Sequence, residues 1–76
     1  MTWRVLESKM LSAEAYGDSQ RVLYLRFRAT GQVYRYFESP VADYRTFLRA
    51  ESKGRYFRSR IRDHFRYERL AKLHAA

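Results

Sequence analysis

Hydrophobic and polar residues alternate in the first half of the chain, which is the two-residue period of strands. The clearest alternation spans residues 21–28, whose apolar side consists of Leu23, Leu25 and Phe27. Residues 11–16 alternate with less contrast between their two faces, and residues 3–5 show a weaker strand pattern. The polar run at residues 17–20 predicts a turn between the two stronger strands.

The stretch from Gly31 to Pro40 predicts a strand followed at once by a helix. Gly31 supplies a turn position that tolerates a positive φ, and residues 33–37 are β-forming residues around one arginine. Ser39 is expected to cap the helix with its hydroxyl. Pro40 is expected at the first helical position, where its missing N–H costs no hydrogen bond. The helical half of the chain is therefore expected to begin at residue 40.

The length of the hairpin loop before this strand decides which face carries Tyr34 and Tyr36. With Thr30-Gly31 as a two-residue loop, three pairs face each other: Phe27–Tyr34, Leu25–Tyr36 and Arg26–Arg35. The two tyrosines then join the core face, and the other face carries Tyr24, Arg26, Arg28, Arg35 and Phe37. A three-residue loop would instead place both tyrosines on the arginine face. We favour the two-residue loop because the apolar side of the preceding strand needs apolar neighbours.

Apolar residues after Pro40 recur at helical spacing, through Val41, Tyr44, Phe47 and Leu48. They predict a first helix over residues 40–50. A second helix is expected from Lys53, with Ser52 as its cap and residues 70–73 as an extension. If this helix is continuous, five arginines share one face: Arg55, Arg58, Arg62, Arg66 and Arg69. The pattern predicts an α+β fold, with a small antiparallel β-meander of about three strands followed by two helices packed on one face.

A chain of 76 residues corresponds to a single small domain over residues 1–76. It contains no cysteine, which excludes disulfides and thiolate metal sites. The two histidines have no cysteine companions, so no metal site and no cofactor are expected. No apolar run approaches the length of a membrane span, and the first residues lack a signal-peptide pattern. We therefore expect a soluble, cytoplasmic protein with no membrane partner.

Positive charge is the strongest compositional signal. Sixteen Lys and Arg residues against eight Asp and Glu residues give a net charge of +8, and 13 of the 16 cations are Arg. Such a balance attracts polyanions, and the planar guanidinium favours phosphate and stacking contacts. The alternative interpretation is a solvated surface encoded by a genome that prefers Arg to Lys.

Several short motifs together resemble the KTSC domain. The matching residues are Tyr34-Arg35-Tyr36 for a central Tyr-x-Tyr, Pro40 with Tyr44, Ala50-Glu51-Ser52-Lys53-Gly54 for Ala-x-Ser-x-Gly, and then Tyr56-Phe57 and Ile61. The resemblance covers about residues 10–67, which leaves residues 68–76 as a C-terminal helix extension or tail. Ser39 departs from the family, which usually has Val before Pro. The resemblance implies a small α+β domain, found at the C-terminus of some lysyl-tRNA synthetases and alone in small bacterial proteins. Its function is unassigned, and RNA binding is suggested for the family.

Candidate binding residues lie on the predicted sheet, at the start of the second helix and along that helix. They are Arg26, Arg28, Tyr34, Arg35, Tyr36, Lys53, Arg55, Arg58, Arg62, Arg66 and Arg69. Arginines contact phosphates, exposed aromatic rings stack unpaired bases, and a helix start offers N–H groups to an anion. The structural alternatives are a solvated helix face, tyrosines half-buried in the core, and an ordinary cap and turn at Ser52-Lys53-Gly54.

These features favour a non-enzymatic nucleic-acid-binding module that prefers RNA, including tRNA, to DNA. The alternative is a protein–protein interaction or assembly module, since Tyr and Arg are also common at interfaces. A nuclease acting through His64, with Glu68 one helical turn further on, is the weakest hypothesis. A monomer or a small homo-oligomer is expected.

Overall fold

A computed structural model describes residues 1–70 and arranges them as an antiparallel sheet with helices against one face. The sheet has five strands in chain order: β1 (Arg4–Val5), β2 (Leu11–Gly17), β3 (Val22–Phe27), β4 (Val33–Tyr36) and β5 (Tyr67–Arg69). Between β4 and β5 lie helix α1 (Val41–Arg49), helix α2 (Lys53–Tyr56) and a π-helical segment (Phe57–Ile61). Among the residues so described, no helix is long and apolar enough to cross a membrane.

The predicted α+β class and the meander are confirmed, but the sheet has five strands rather than about three. The helices do not follow the sheet, because they are inserted before its last strand. The second helical run ends at Ile61 instead of continuing through Arg69. Strand β5 forms because β4 offers it a free edge: the Phe37 N–H donates to the Arg66 carbonyl and the Leu70 N–H to the Val33 carbonyl. The predicted extension beyond residue 70 lies outside the described residues.

The hairpin between β3 and β4 keeps the predicted faces with a different register. Its pairs are Leu23–Tyr36, Tyr24–Arg35, Leu25–Tyr34 and Arg26–Val33. Both loop lengths considered above are therefore wrong, because the turn occupies residues 28–31, with Gly31 at a φ of 71°. A displacement by two residues leaves every side chain on its expected face. The two arginines of the predicted Arg26–Arg35 pair do not oppose each other, which removes a like-charge contact.

The core lies between the helices and the sheet face that carries Leu23 and Leu25. Its buried members are Leu6, Leu11, Tyr16, Leu23, Leu25, Tyr36, Phe47, Phe57 and Ile61. A β-bulge between Leu11 and Ala13 puts Leu11 on the same side as Tyr16, although their spacing is odd. This bulge explains why residues 11–16 distinguished their faces poorly in the sequence.

The link between β4 and α1 is anchored by its backbone. The predicted cap is wrong, because α1 begins at Val41, with Pro40 at the cap position and no side-chain cap. Ser39 is buried instead, and its carbonyl accepts a 2.5 Å hydrogen bond from the Tyr16 hydroxyl. The predicted cap of the second helix is confirmed, since the Ser52 hydroxyl accepts a 3.2 Å hydrogen bond from the Arg55 N–H.

Candidate nucleic-acid interface

The structure distributes the predicted binding residues other than Arg28 over three separate surfaces. The open face is the side of the sheet that faces away from the helices, and it holds Arg26, Arg35 and Arg66. The aromatic groove lies on the opposite side of β3, β4 and β5, and it holds Tyr34, Tyr36 and Arg62, with Arg69 on the strand beside it. The helical surface holds Lys53, Arg55 and Arg58.

Arginines of the open face surround Phe37. The guanidinium carbon of Arg66 lies 4.7 Å from the centroid of the Phe37 ring, and that of Arg35 lies 5.4 Å from it. These distances are typical of cation–π contacts. Arg35 also forms an ion pair with Glu68, which opposes it across β4 and β5. The aromatic ring therefore holds two guanidinium groups in place at one end of this face.

A second aromatic pair lies next to this cluster on the open face, since Tyr24 opposes Arg35 across β3 and β4. The ring of Trp3 meets that of Tyr24 edge to face, with centroids 6.3 Å apart, and 38% of Trp3 is exposed. Trp3 was not among the candidate residues. The only sequence signal that could have placed it on this face is its alternation with Arg4. Arg26, opposite Val33, is exposed on the same face. The open face thus combines aromatic rings with cations, as the sequence predicted for Tyr24, Arg26 and Arg35.

The aromatic groove is a cavity of about 430 Å³ beside the end of the π-helical segment. Its wall includes Lys9, Met10, Phe27, Gln32, Tyr34, Phe57, Arg62 and Tyr67. The half-buried Tyr34 ring packs edge to face against Phe27 at 5.4 Å and lies 5.8 Å from the Tyr67 ring. Tyr67 forms the outer part of the wall, because 56% of it is exposed.

Tyr36 cannot stack a base, because only 3% of it is exposed. Its ring packs against Phe57 at 5.8 Å, and burial raises the pKa of its hydroxyl above the ordinary value for tyrosine. The Tyr-x-Tyr motif therefore has two different roles: Tyr36 is part of the core, and Tyr34 is accessible from the groove.

The predicted arginine stripe does not exist as one surface. Arg55 and Arg58 are exposed on the helical run, but Arg62 ends that run, where it lies 3.8 Å from the Asp63 carboxylate. Arg66 and Arg69 flank and end β5 instead. The stripe required a continuous α-helix, and the π-helical segment and the turn after it abolish the 3.6-residue spacing.

Residues of the predicted anion site at Ser52-Lys53-Gly54 make contacts within the protein. The Lys53 ammonium donates a 2.5 Å hydrogen bond to the Ala50 carbonyl at the end of α1. Gly54 is buried against Met10, whose Cβ lies 3.3 Å from where a Cβ on Gly54 would stand. The segment joins two helices and packs on a loop, which is the structural alternative considered for this motif.

Arg28 has a structural role. Its guanidinium donates hydrogen bonds to the carbonyls of Ser8 at 2.8 Å, Leu6 at 2.9 Å and Leu11 at 3.4 Å. One side chain thus contacts three carbonyls in and next to the loop between β1 and β2. Because its Nε and Nη2 groups donate to backbone carbonyls, we assign Arg28 first to the stability of this loop.

Replacing Arg28 by alanine should lower the free energy of unfolding by about 1–3 kcal/mol, since several carbonyls lose a charged donor. Urea denaturation measures this change. Arg26→Ala is the matched control, because Arg26 is an exposed arginine close to Arg28 in the chain. Its replacement should change the free energy of unfolding by no more than about 0.5 kcal/mol. Equal effects of the two variants would contradict the structural role of Arg28.

A buried carboxylic acid, Glu14, lies on β2 opposite the core residue Leu25. Glu14 is 0% exposed, and its Oε1 accepts a 2.8 Å hydrogen bond from the Tyr44 hydroxyl. Its Oε2 has no hydrogen-bond partner among the described residues, and the Arg4 Nε is 4.0 Å away. Burial raises the pKa of the Glu14 carboxyl, and burial together with this hydrogen bond raises the pKa of Tyr44 to about 12. Nothing in the sequence analysis singled out Glu14.

His64 and Glu68, the two residues proposed for a nuclease, do not form the expected pair. The ring of His64 is hydrogen-bonded to the Ser59 carbonyl at 3.0 Å, and the predicted partner Glu68 pairs with Arg35 on the sheet. Since residues 62–66 are not helical, the expected one-turn spacing between the two does not occur. Within residues 1–70, no cluster of three or more His, Cys, Asp or Glu residues could hold a metal ion.

Three comparisons connect this fold and sequence with known proteins. The family model described as the KTSC domain matches residues 7–65. A protein of Tsukamurella paurometabola, whose name states no function, is 34% identical over 61 residues, which span 80% of this chain and 90% of that protein. The crystal structure of a KTSC domain protein from Yersinia pestis is similar with a TM-score of 0.87 and 27% identity, covering 92% of this chain and 97% of that one.

Proposed function

The chain belongs to the KTSC domain family, and from the surfaces that it carries on this fold we propose that it is a non-enzymatic module that binds nucleic acid and prefers RNA to DNA. The observation that supports this proposal is the open face. There, Arg26, Arg35 and Arg66 share one sheet surface with the rings of Trp3, Tyr24 and Phe37.

The chemistry of the open face suits a flexible polyanion. Aromatic rings stack on unpaired bases whatever their identity, and arginines contact phosphates at the same time. Glu68 is the acidic residue of β5 on this face, and it neutralises Arg35. Arg26 and Arg66 have no acidic partner within 4.0 Å among the described residues, so their charge is available to a ligand.

RNA is preferred to DNA in this proposal because unpaired, unstacked bases occur mainly in RNA loops and ends. A flat sheet face stacks such bases, whereas duplex DNA keeps its bases inside. The link to lysyl-tRNA synthetases, which the resemblance implied, makes tRNA a necessary probe beside single-stranded RNA and duplex DNA.

Single arginine replacements should identify the phosphate-binding surface. Arg26→Ala and Arg66→Ala are each expected to weaken binding to every sequence and to reduce the slope of log affinity against log salt by about 0.7 for each lost phosphate contact on a single strand. Arg58→Ala tests the helical surface in the same way. Fluorescence anisotropy at several salt concentrations, with labelled RNA, tRNA and duplex DNA, measures both quantities.

Arg45→Ala is the matched control, because it removes the same charge from an exposed position of α1, away from the sheet. Equal weakening by Arg45→Ala and Arg66→Ala would mean attraction by net charge alone, without a defined surface. Absence of binding by the unmodified protein at low salt would overturn the proposal and leave the protein-interaction module.

A further inference from the structure

We infer that the aromatic groove holds one unpaired nucleotide of a single-stranded RNA, with the base against Tyr34 and Tyr67 and its phosphate at Lys9 or Arg62. This inference rests on the proposed function and specifies where a base is held individually. The groove is separate from the open face, because Tyr34 and Tyr67 lie on the other side of β4 and β5.

The wall of the groove matches the two halves of a nucleotide. Its inner part consists of Met10 and the rings of Phe27, Tyr34 and Phe57, which give apolar and aromatic surface for a base. Its cations are Lys9 and Arg62, and no acidic residue lines it among the described residues, although Arg62 lies 3.8 Å from the neighbouring Asp63 carboxylate. A ligand that joins an aromatic ring to a negative group is therefore complementary to this cavity, whereas a purely apolar ligand leaves the two cations unused.

Shape favours an unpaired base over a paired one. Tyr34 is half-buried, so a ring that stacks on it must enter the groove. A base inside a duplex cannot do so without leaving its stack, which costs a few kcal/mol. Tyr67, 56% exposed at the outer wall, offers the second ring surface. The cavity of about 430 Å³ falls in the size range of small-ligand sites.

Polar groups on the wall could contact the edge of the base. Gln32 brings an amide that both donates and accepts hydrogen bonds, and Thr30 brings a hydroxyl that already accepts a 3.2 Å hydrogen bond from the Gln32 N–H. These groups lie at the β3–β4 turn, next to the aromatic rings. They provide a means of base preference within the groove.

Tyr67 variants test this inference. Tyr67→Leu keeps an apolar side chain at an exposed position but removes the flat ring, and it should weaken binding of a single-stranded RNA of about eight nucleotides by about five-fold or more. Tyr67→Phe is the matched control, because it keeps the ring, and it should bind within about two-fold of the unmodified protein. Anisotropy with the single strand and with duplex RNA of the same length measures the effect, which should be confined to the single strand.

A second pair of variants separates the two halves of the ligand. At least one of Lys9→Ala and Arg62→Ala should weaken binding of the single strand and reduce the salt slope, and no change in either would contradict the phosphate position. Tyr67→Leu should leave the slope unchanged because stacking releases no counterions. If the unmodified protein binds RNA but Tyr67→Leu binds the single strand equally well, the groove inference is wrong and the proposed function stands. If the unmodified protein binds no RNA at low salt, both are overturned.

Discussion

Replacing Phe47 by alanine should lower the free energy of unfolding by about 3–5 kcal/mol, the largest effect expected of a single substitution in this chain. Phe47 is 0% exposed and is the buried residue through which α1 joins the core. Its ring lies 5.8 Å from that of Tyr56, so it also connects α1 to α2. A domain of this size has a total stability of only about 4–11 kcal/mol, so the variant is expected to be largely unfolded in moderate urea.

Urea denaturation followed by circular dichroism measures this loss. Val41→Ala is the matched control, because Val41 begins the same helix but is 42% exposed, and its replacement should cost less than about 1 kcal/mol. A loss below about 1 kcal/mol for Phe47→Ala would contradict the packing described for α1. Loss of RNA binding in this variant would carry no information about the binding surface, since α1 would no longer pack into the core beneath the sheet.

Replacing Glu14 by glutamine should change the stability relative to the unmodified protein by an amount that becomes more favourable as the pH rises. Burial raises the pKa of the folded Glu14 carboxyl, whereas the unfolded chain releases this proton near pH 4.5. Above that pH the folded state binds more protons than the unfolded state, so the stability contributed by the protonated carboxyl is lost as pH increases towards the folded pKa. Glutamine keeps an acceptor for the Tyr44 hydroxyl but has no proton to lose.

The stability difference between Glu14→Gln and the unmodified protein should therefore rise from about pH 4.5 upward, with a slope of at most about 1.4 kcal/mol per pH unit. Urea denaturation at a series of pH values measures it. Glu51→Gln provides the control, because Glu51 is exposed, and its difference from the unmodified protein should show no such slope. A difference for Glu14→Gln that does not change with pH would show that the carboxyl is solvated or fully paired in the folded state.

Elements that are specified by their own side chains could be predicted from the sequence. The strict alternation of residues 21–28 identified β3, and the helical spacing around Phe47 identified α1. Strand β5 could not be predicted, because its three residues are all exposed and form a strand only through their hydrogen bonds to β4. The bulge after Leu11 likewise obscured the faces of β2, since one extra residue reverses the alternation.

The sequence predicted only those site residues whose face follows from the alternation of side chains along a strand. Tyr24, Arg26 and Arg35 share the open face because alternate residues of paired strands point the same way. Arg66 was assigned to a helix, and it reaches Phe37 only through the unforeseen β5. The structural role of Arg28 depends on carbonyls of a loop some twenty positions away in the chain, for which sequence has no local signal. Trp3 reaches the face through contacts between distant strands in the same way.

The position of β5 also determines when the domain can be completed during protein synthesis. Strand β4 pairs on one side with β3, but its other side stays unpaired until residues 66–70 have left the ribosome, after both helices. Until then a nascent chain presents an open strand edge next to Tyr34 and Tyr36, the arrangement that invites pairing with another chain. Among the elements described for residues 1–70, the last to be translated is thus the one that closes the sheet. The nascent chain is therefore most exposed to association with another chain just before that strand appears.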